Sequence, residues 1–239
     1  MSSSTWTPRA VESEAAKCRL AVWRAVEAQH VASTRRLVDS NAEQEVLERI
    51  LDDFKPKAPA STAGLHYLLA TPFRYPPADR GSRFRRVTDP GVFYAAEERR
   101  TACAELGYWR WRFLRDSSGL TTLGPAPQTL FQVTARGMAV DLRTKPFSRD
   151  HRKWTDPESY STTQGFAALV RKTPITIIRY ESVRDPGKGG CAAIMEPKCF
   201  ADPAPAASQT WFLTVTPTAS AWQRDAEKFE FVWNSGSGS

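Results

Sequence analysis

The sequence predicts an α+β fold built on a mostly antiparallel, split sheet. Two observations lead there. The N-terminal quarter carries apolar residues at helical spacing, whereas from Leu65 onward short apolar runs of strand length dominate. The helical stretches among those runs do not alternate strictly with strands, which argues against a doubly wound parallel sheet. With 239 residues, 41% of them hydrophobic, the chain can bury one large domain or a domain with an added helical segment.

Residues 1–8 are rich in Ser and Thr and read as loose. A helix is expected from Arg9 to about His30, because Val11, Ala15, Cys18, Val22 and Val26 recur at three- and four-residue steps. A second helix is expected over Asn41–Phe54, capped by Ser40 with Glu43 three positions on. The segment Lys55–Ala63 contains two prolines and reads as a connection. Beyond it Leu65–Ala70 reads as a short strand, Gly91–Ala95 as a strand and Glu97–Leu114 as a helix. Further strands are expected at Thr129–Thr134, Ala139–Leu142, Ile175–Tyr180, Cys191–Met195, Thr210–Thr216 and Phe229–Trp233, with a helix at Pro157–Arg171. The terminal Ser-Gly run, 234–239, reads as a flexible tail.

The composition excludes several classes. No apolar run approaches the ~20 residues that span a bilayer. The N-terminus lacks a basic region followed by an apolar one, so a cytoplasmic location is expected. Four cysteines form no CxxC pair and three histidines are scattered, which is poor material for a metal site. The net charge of +7 suits a phosphate-bearing ligand, nucleic acid or an acidic partner. The surplus is spread along the chain, with its densest knot at Arg80–Arg86, and no long basic run with interleaved aromatics marks a nucleic-acid binder.

The segment from Pro72 to Arg112 concentrates chemistry. It supplies Arg74 between turn residues, a glycine-led basic cluster containing Arg83, a short strand ending in Tyr94, and Glu105 on the helix that follows. Ser182 lies at a strand end, before the glycine-rich Pro186–Gly190. That glycine cluster is neither a P-loop nor a GxGxxG fingerprint, and read alone it is a hairpin turn. The polar run Arg149–Tyr160 reads as a surface loop. No GxSxG elbow exists for a Ser-His-acid hydrolase. Each candidate also has a plain structural role open to it: Arg74 can tie a turn, Tyr94 can fill core, Glu105 can pair with Arg110 or Arg112, and Ser182 can cap a turn.

In their order, these pieces resemble one family. Arg74 in TPFRYP, Arg83 in RGSRFR, Tyr94 in GVFYAAE, Glu105 in TACAE and Ser182 in RYESVRDPGKGGCAAIM are similar to the RES-domain proteins, named for an Arg, a Glu and a Ser. The chain departs from the many members that have Gly-Gly-Arg-Trp-Asn where it has Gly81-Ser82-Arg83-Phe84-Arg85. The resemblance implies an ADP-ribosyltransferase-like split-sheet domain over residues 64–233, preceded by a helical segment, 1–56, packed on it. It implies a toxin of a toxin–antitoxin pair with NAD as substrate and no metal. The activity implied is cleavage of the nicotinamide–ribose bond, with ADP-ribose passing to a protein such as phosphoribosyl pyrophosphate synthetase, or to water or phosphate. Glu105, Arg74 and Ser182 are implied as catalytic, and Arg74, Arg83, Tyr94 and Ser182 as the NAD-binding set. The implied partner is an Xre-type antitoxin that blocks the site. The competing reading is a non-catalytic module that holds a phosphate ligand or nucleic acid in the same basic cleft.

Overall fold

The computed structural model describes residues 6–28, 43, 55–77 and 80–233. Apart from Glu43, the helix expected over Asn41–Phe54 lies outside the described residues, as does the terminal tail. The elements are α1 (Pro8–Glu12), β1 (Ala16–Glu27), α2 (Tyr67–Arg74), β2 (Phe93–Ala96), α3 (Arg99–Asp116), β3 (Leu123–Asp141), α4 (His151–Trp154), α5 (Ser161–Val170), β4 (Ile177–Glu181), β5 (Gly190–Ile194), β6 (Ala207–Val215), β7 (Ala219–Arg224) and β8 (Glu227–Val232).

The fold is α+β, as expected. The eight strands run β1-β2-β5-β4-β3-β6-β7-β8, with a further pairing of β1 to β3. Every pairing is antiparallel except β3 with β4. The long strand β3 organises the sheet. Along one edge it pairs with β1 from Gln128 to Ala139, and along the other it serves β6 and then β4. Because β1 also touches β2, the pairings β1-β2-β5-β4-β3 close on themselves. That closure is thin: β1 and β2 share one register pair, Trp23↔Ala96. The sheet therefore splits between β1 and β2, and side chains near the split face a gap.

Alternation along the strands sends side chains to two cores. Leu130 and Val140 of β3 join Trp211, Leu213, Trp222 and the α3 residues Ala102, Trp111 and Leu114. Phe131, Val133 and Ala135 point the other way, toward Leu69 and Phe73 of α2 and Phe93, Ile177 and Phe200. The long helix α3 lies across the first face, against β1, β2, β6, β7 and β8. Its position matters most for function, since it lays one helical face along the split.

Two expected elements change type. The helix expected over Arg9–His30 is one short helix, α1, followed by the twelve-residue strand β1. A four-residue step is also a multiple of two, so Cys18, Val22 and Val26 share one face of a strand as readily as one face of a helix. They do so here, packing with Leu20 against the second core. The strand expected at Leu65–Ala70 is instead the start of α2, where His66 Nδ1 accepts a hydrogen bond from the Leu68 amide. Leu69 and Phe73, four apart, are its buried face. The strands expected at 129–134 and 139–142 are one continuous strand, β3, and β7 is an addition. The remaining strands and the helices α3 and α5 fall where expected, within a few residues at each end.

Candidate active site

A cleft of about 290 Å³ opens at the split. Trp23, Arg24 and Ala25 of β1 and Tyr94, Ala95 and Ala96 of β2 line it from the sheet. Ala102, Glu105, Leu106 and Trp109 of α3 line it from the helix, at the three- and four-residue spacing that shares one face. Loops supply Ser82, Arg83, Tyr160, Val183 and Arg184.

Glu105 sits midway along the helical wall. Ser182, itself buried, donates its hydroxyl to Glu105 Oε1 at 2.6 Å. Burial pushes the Glu105 carboxyl above its ordinary pKa, and the hydrogen bond from Ser182 and the charges of Arg184 and Arg83 pull only partly against it. The partly buried carboxyl is thus held by one hydroxyl donor with cationic groups nearby, a state suited to stabilising a transient cation or taking up a proton.

The turn that presents Ser182 is anchored to α3. Asp185 is buried and accepts from Thr101 Oγ1 at 2.8 Å, from the Gly187 amide at 2.9 Å and from Arg100. Those bonds hold its carboxyl below the usual carboxylate range although burial alone raises it. The glycine-rich stretch is the hairpin turn from β4 to β5, closed by the Ser182 amide donating to the Gly189 carbonyl. Gly189 and Gly190 are required by close contact with neighbouring side chains. A Cβ on Gly189 meets Thr101 Oγ1 at 2.0 Å, and one on Gly190 meets Arg143 and Glu97 at 2.2 Å.

Tyr94 and Arg83 are coupled. The Tyr94 hydroxyl accepts from the Phe84 amide at 2.9 Å and shares a 2.8 Å hydrogen bond with Ser82 Oγ. It thereby pins the turn that carries Arg83, and burial raises its pKa. That turn needs Gly81 in the left-handed region (φ +69°), where an added Cβ meets the Arg85 carbonyl oxygen at 2.2 Å. Arg83 donates through Nη1 to the carbonyls of Trp154 and Asp156, both at 3.0 Å, and lies 4.9 Å from the centre of the Tyr160 ring. The polar run expected to be a surface loop is therefore partly helical, and its last residue, Tyr160, lines the cleft.

Of the residues singled out in the sequence, Arg83, Tyr94 and Glu105 line this cleft, and Ser182 touches it through Glu105. Arg74 does not join them. It ends α2, and its Nε donates to the Pro56 carbonyl. Its place among the cationic groups is taken by two arginines the sequence reading did not single out. Arg24 lines the cleft from β1, donates to the Tyr94 carbonyl and lies 5.0 Å from the Phe93 ring centre. Burial lowers its pKa to about 10, so it remains a cation at neutral pH. Its Nε is buried with no hydrogen-bond partner among the described residues. Arg184 lies 3.9 Å from the Tyr108 ring centre and 5.7 Å from that of Trp109, with Nη2 donating to the Pro157 carbonyl at 2.7 Å. Reading β1 as a helix hid Arg24. Arg184 had a visible signal, since it stands two residues past Ser182 in the same turn.

The RES domain family model matches residues 58–216. Comparison with curated proteins finds no significant match. Among solved structures, a chain of the M. tuberculosis MbcT–MbcA toxin–antitoxin complex is similar in fold, with a TM-score of 0.51 at 11% identity, covering 88% of this chain and 92% of that one.

Proposed function

This chain belongs to the RES domain family, and from that premise we propose that it is the NAD-consuming toxin of a toxin–antitoxin pair. The reaction is cleavage of the bond between nicotinamide and ribose, with ADP-ribose passing to a protein acceptor, phosphoribosyl pyrophosphate synthetase being one candidate, or to water or phosphate. One observation carries the reading. The Ser182–Glu105 hydrogen bond lies in a cleft that Tyr94, Arg83, Arg24 and Arg184 also line or flank.

The chemistry follows from those groups. As the C–N bond breaks, its electron pair goes to the nicotinamide nitrogen and neutralises the ring, and positive charge develops on the ribose. Glu105 stabilises that charge, and it takes the proton of the attacking acceptor when the new bond forms. A preorganised group of this kind is worth about 3–4 kcal/mol, or about 10²–10³ in rate. Ser182 fixes the carboxylate oxygen that faces it. The Tyr94 ring stacks on the nicotinamide, while the guanidinium groups hold diphosphate oxygens. An Xre-type antitoxin blocks the cleft. The M. tuberculosis chain of similar fold comes from a toxin–antitoxin complex, which supports an antitoxin partner.

The test incubates the 239-residue chain with NAD and follows nicotinamide release, with and without phosphate and cell lysate. Release is expected. Labelled NAD added with lysate separates the outcomes, since only transfer labels a protein band. No release under any of these conditions removes the enzyme and leaves a non-catalytic module that holds a phosphate ligand or nucleic acid.

A further inference from the structure

The cleft has a direction. Along α3 its lining passes from Ala102, buried at one end, through Glu105 to Trp109, which is 50% exposed at the other. Of the other lining residues Ala95, Ala96 and Cys191 are buried like Ala102, and together they make the closed, inner part of the cleft apolar. Arg184 and Trp109 stand toward the open end, joined there by the cation–π contact described above. Trp109 stands four positions after Glu105, about 6 Å along one helical face. The volume of about 290 Å³ lies at the bottom of the range of roughly 300–1,000 Å³ that encloses a drug-sized ligand. A dinucleotide overfills it, so one of its ends must rest on the wall at the mouth.

We propose that NAD lies with nicotinamide at the closed end and its adenine stacked on Trp109 at the mouth, the diphosphate crossing Arg184 between them. This rests on the NAD reading above. Arg184 is prepared for the task. A guanidinium has five N–H donors, and among the described residues its side chain spends one hydrogen bond, on Pro157. Tyr108 and Pro157 fix its plane, so little side-chain freedom is lost when it grips phosphate oxygens. Trp109 has no hydrogen-bonding duty among the described residues. An indole half open to water beside a bound cation is a platform for a flat base.

The test measures binding by calorimetry to the full chain and to Trp109→Ala and Trp109→Phe, using two fragments. ADP carries the adenine and diphosphate, and nicotinamide mononucleotide carries the opposite end. Stacking of a base on an aromatic side chain predicts that Trp109→Ala weakens ADP about 5- to 100-fold. It leaves nicotinamide mononucleotide within about twofold, and Trp109→Phe recovers most of the ADP affinity. An unchanged ADP affinity, an equal loss for both fragments or no ADP binding by the unaltered chain overturns the proposal. Nicotinamide release by the unaltered chain, measured alongside, keeps the two ideas apart. Release with Trp109-independent ADP binding sinks this subsite and leaves the enzyme; Trp109-dependent ADP binding without release does the reverse.

Discussion

The Ser182 hydroxyl has one available orientation. Its oxygen accepts from the amides of Arg184 at 3.2 Å and Asp185 at 2.9 Å, which fills both lone pairs and directs its single proton at Glu105 Oε1. Residues 77 positions apart in the chain are thus joined by a bond whose donor is assigned by geometry alone.

Removing that hydroxyl should therefore act on rate and on pH together. A hydrogen bond to a charged group is worth about 1.5–3 kcal/mol, so Ser182→Ala is expected to lower kcat/KM for nicotinamide release about 10- to 100-fold. The lost bond is one that lowers the Glu105 pKa. The acid limb of the rate profile should move to higher pH in the variant. A slower enzyme with an unmoved acid limb argues against the assigned donor.

Glu105→Gln should abolish nicotinamide release and stabilise the fold at neutral pH. The folded pKa of Glu105 is raised by burial. Below the unfolded pKa the residue is protonated in both states, and its charge costs nothing. As pH rises through the unfolded and then the folded pKa, the folded protein must carry a desolvated charge and loses stability. Glutamine never meets that cost. The gap in Tm between Glu105→Gln and the unaltered protein should widen from acid toward neutral pH, as read by thermal unfolding. A gap that narrows in that direction contradicts the burial argument. The variant joins the exchange of activity for stability common at functional sites.

The sheet and α3 were largely legible because strand-length apolar runs and a long helical face are local signals. Arg83, Tyr94, Glu105 and Ser182 stood out through motif order, and the fold brings three of them to the cleft wall with Ser182 bonded to the third. What stayed hidden depended on period or on tertiary placement. Val22 and Val26 fit strand and helix alike, so the local pattern of β1 favours a helix and gives no sign that Arg24 faces a cleft. Leu65–Ala70 was too short for periodicity to decide, since Leu69 reveals its helical partner Phe73 only beyond that window. Arg74 stands out through its place in the motif order, yet its guanidinium meets the Pro56 carbonyl, and no local signal foretells which carbonyl a side chain will reach. The glycine turn was legible as a turn. That its glycines make room for Thr101 and for the Glu97–Arg143 ion pair needed the packed structure.

Two glycine substitutions should have opposite signs. Gly165 lies exposed within α5, and a Cβ there meets nothing within 4 Å. Gly165→Ala relieves the entropic cost of glycine in a helix and should stabilise by about 0.5–1 kcal/mol, raising Tm by about 1–4 °C for a chain of this size. Gly189→Ala drives a methyl into Thr101 Oγ1, which is buried on α3 and cannot swing into solvent. Overpacking of this kind costs about 1–3 kcal/mol, or about 2–12 °C in Tm. The Thr101–Asp185 bond anchors the turn that carries Ser182. Gly189→Ala should therefore also slow nicotinamide release at temperatures where the protein remains folded, while Gly165→Ala leaves the rate unchanged. A Gly189→Ala variant with undiminished activity and Tm means that the turn can shift without disturbing Ser182, and the anchoring role of Asp185 fails with it.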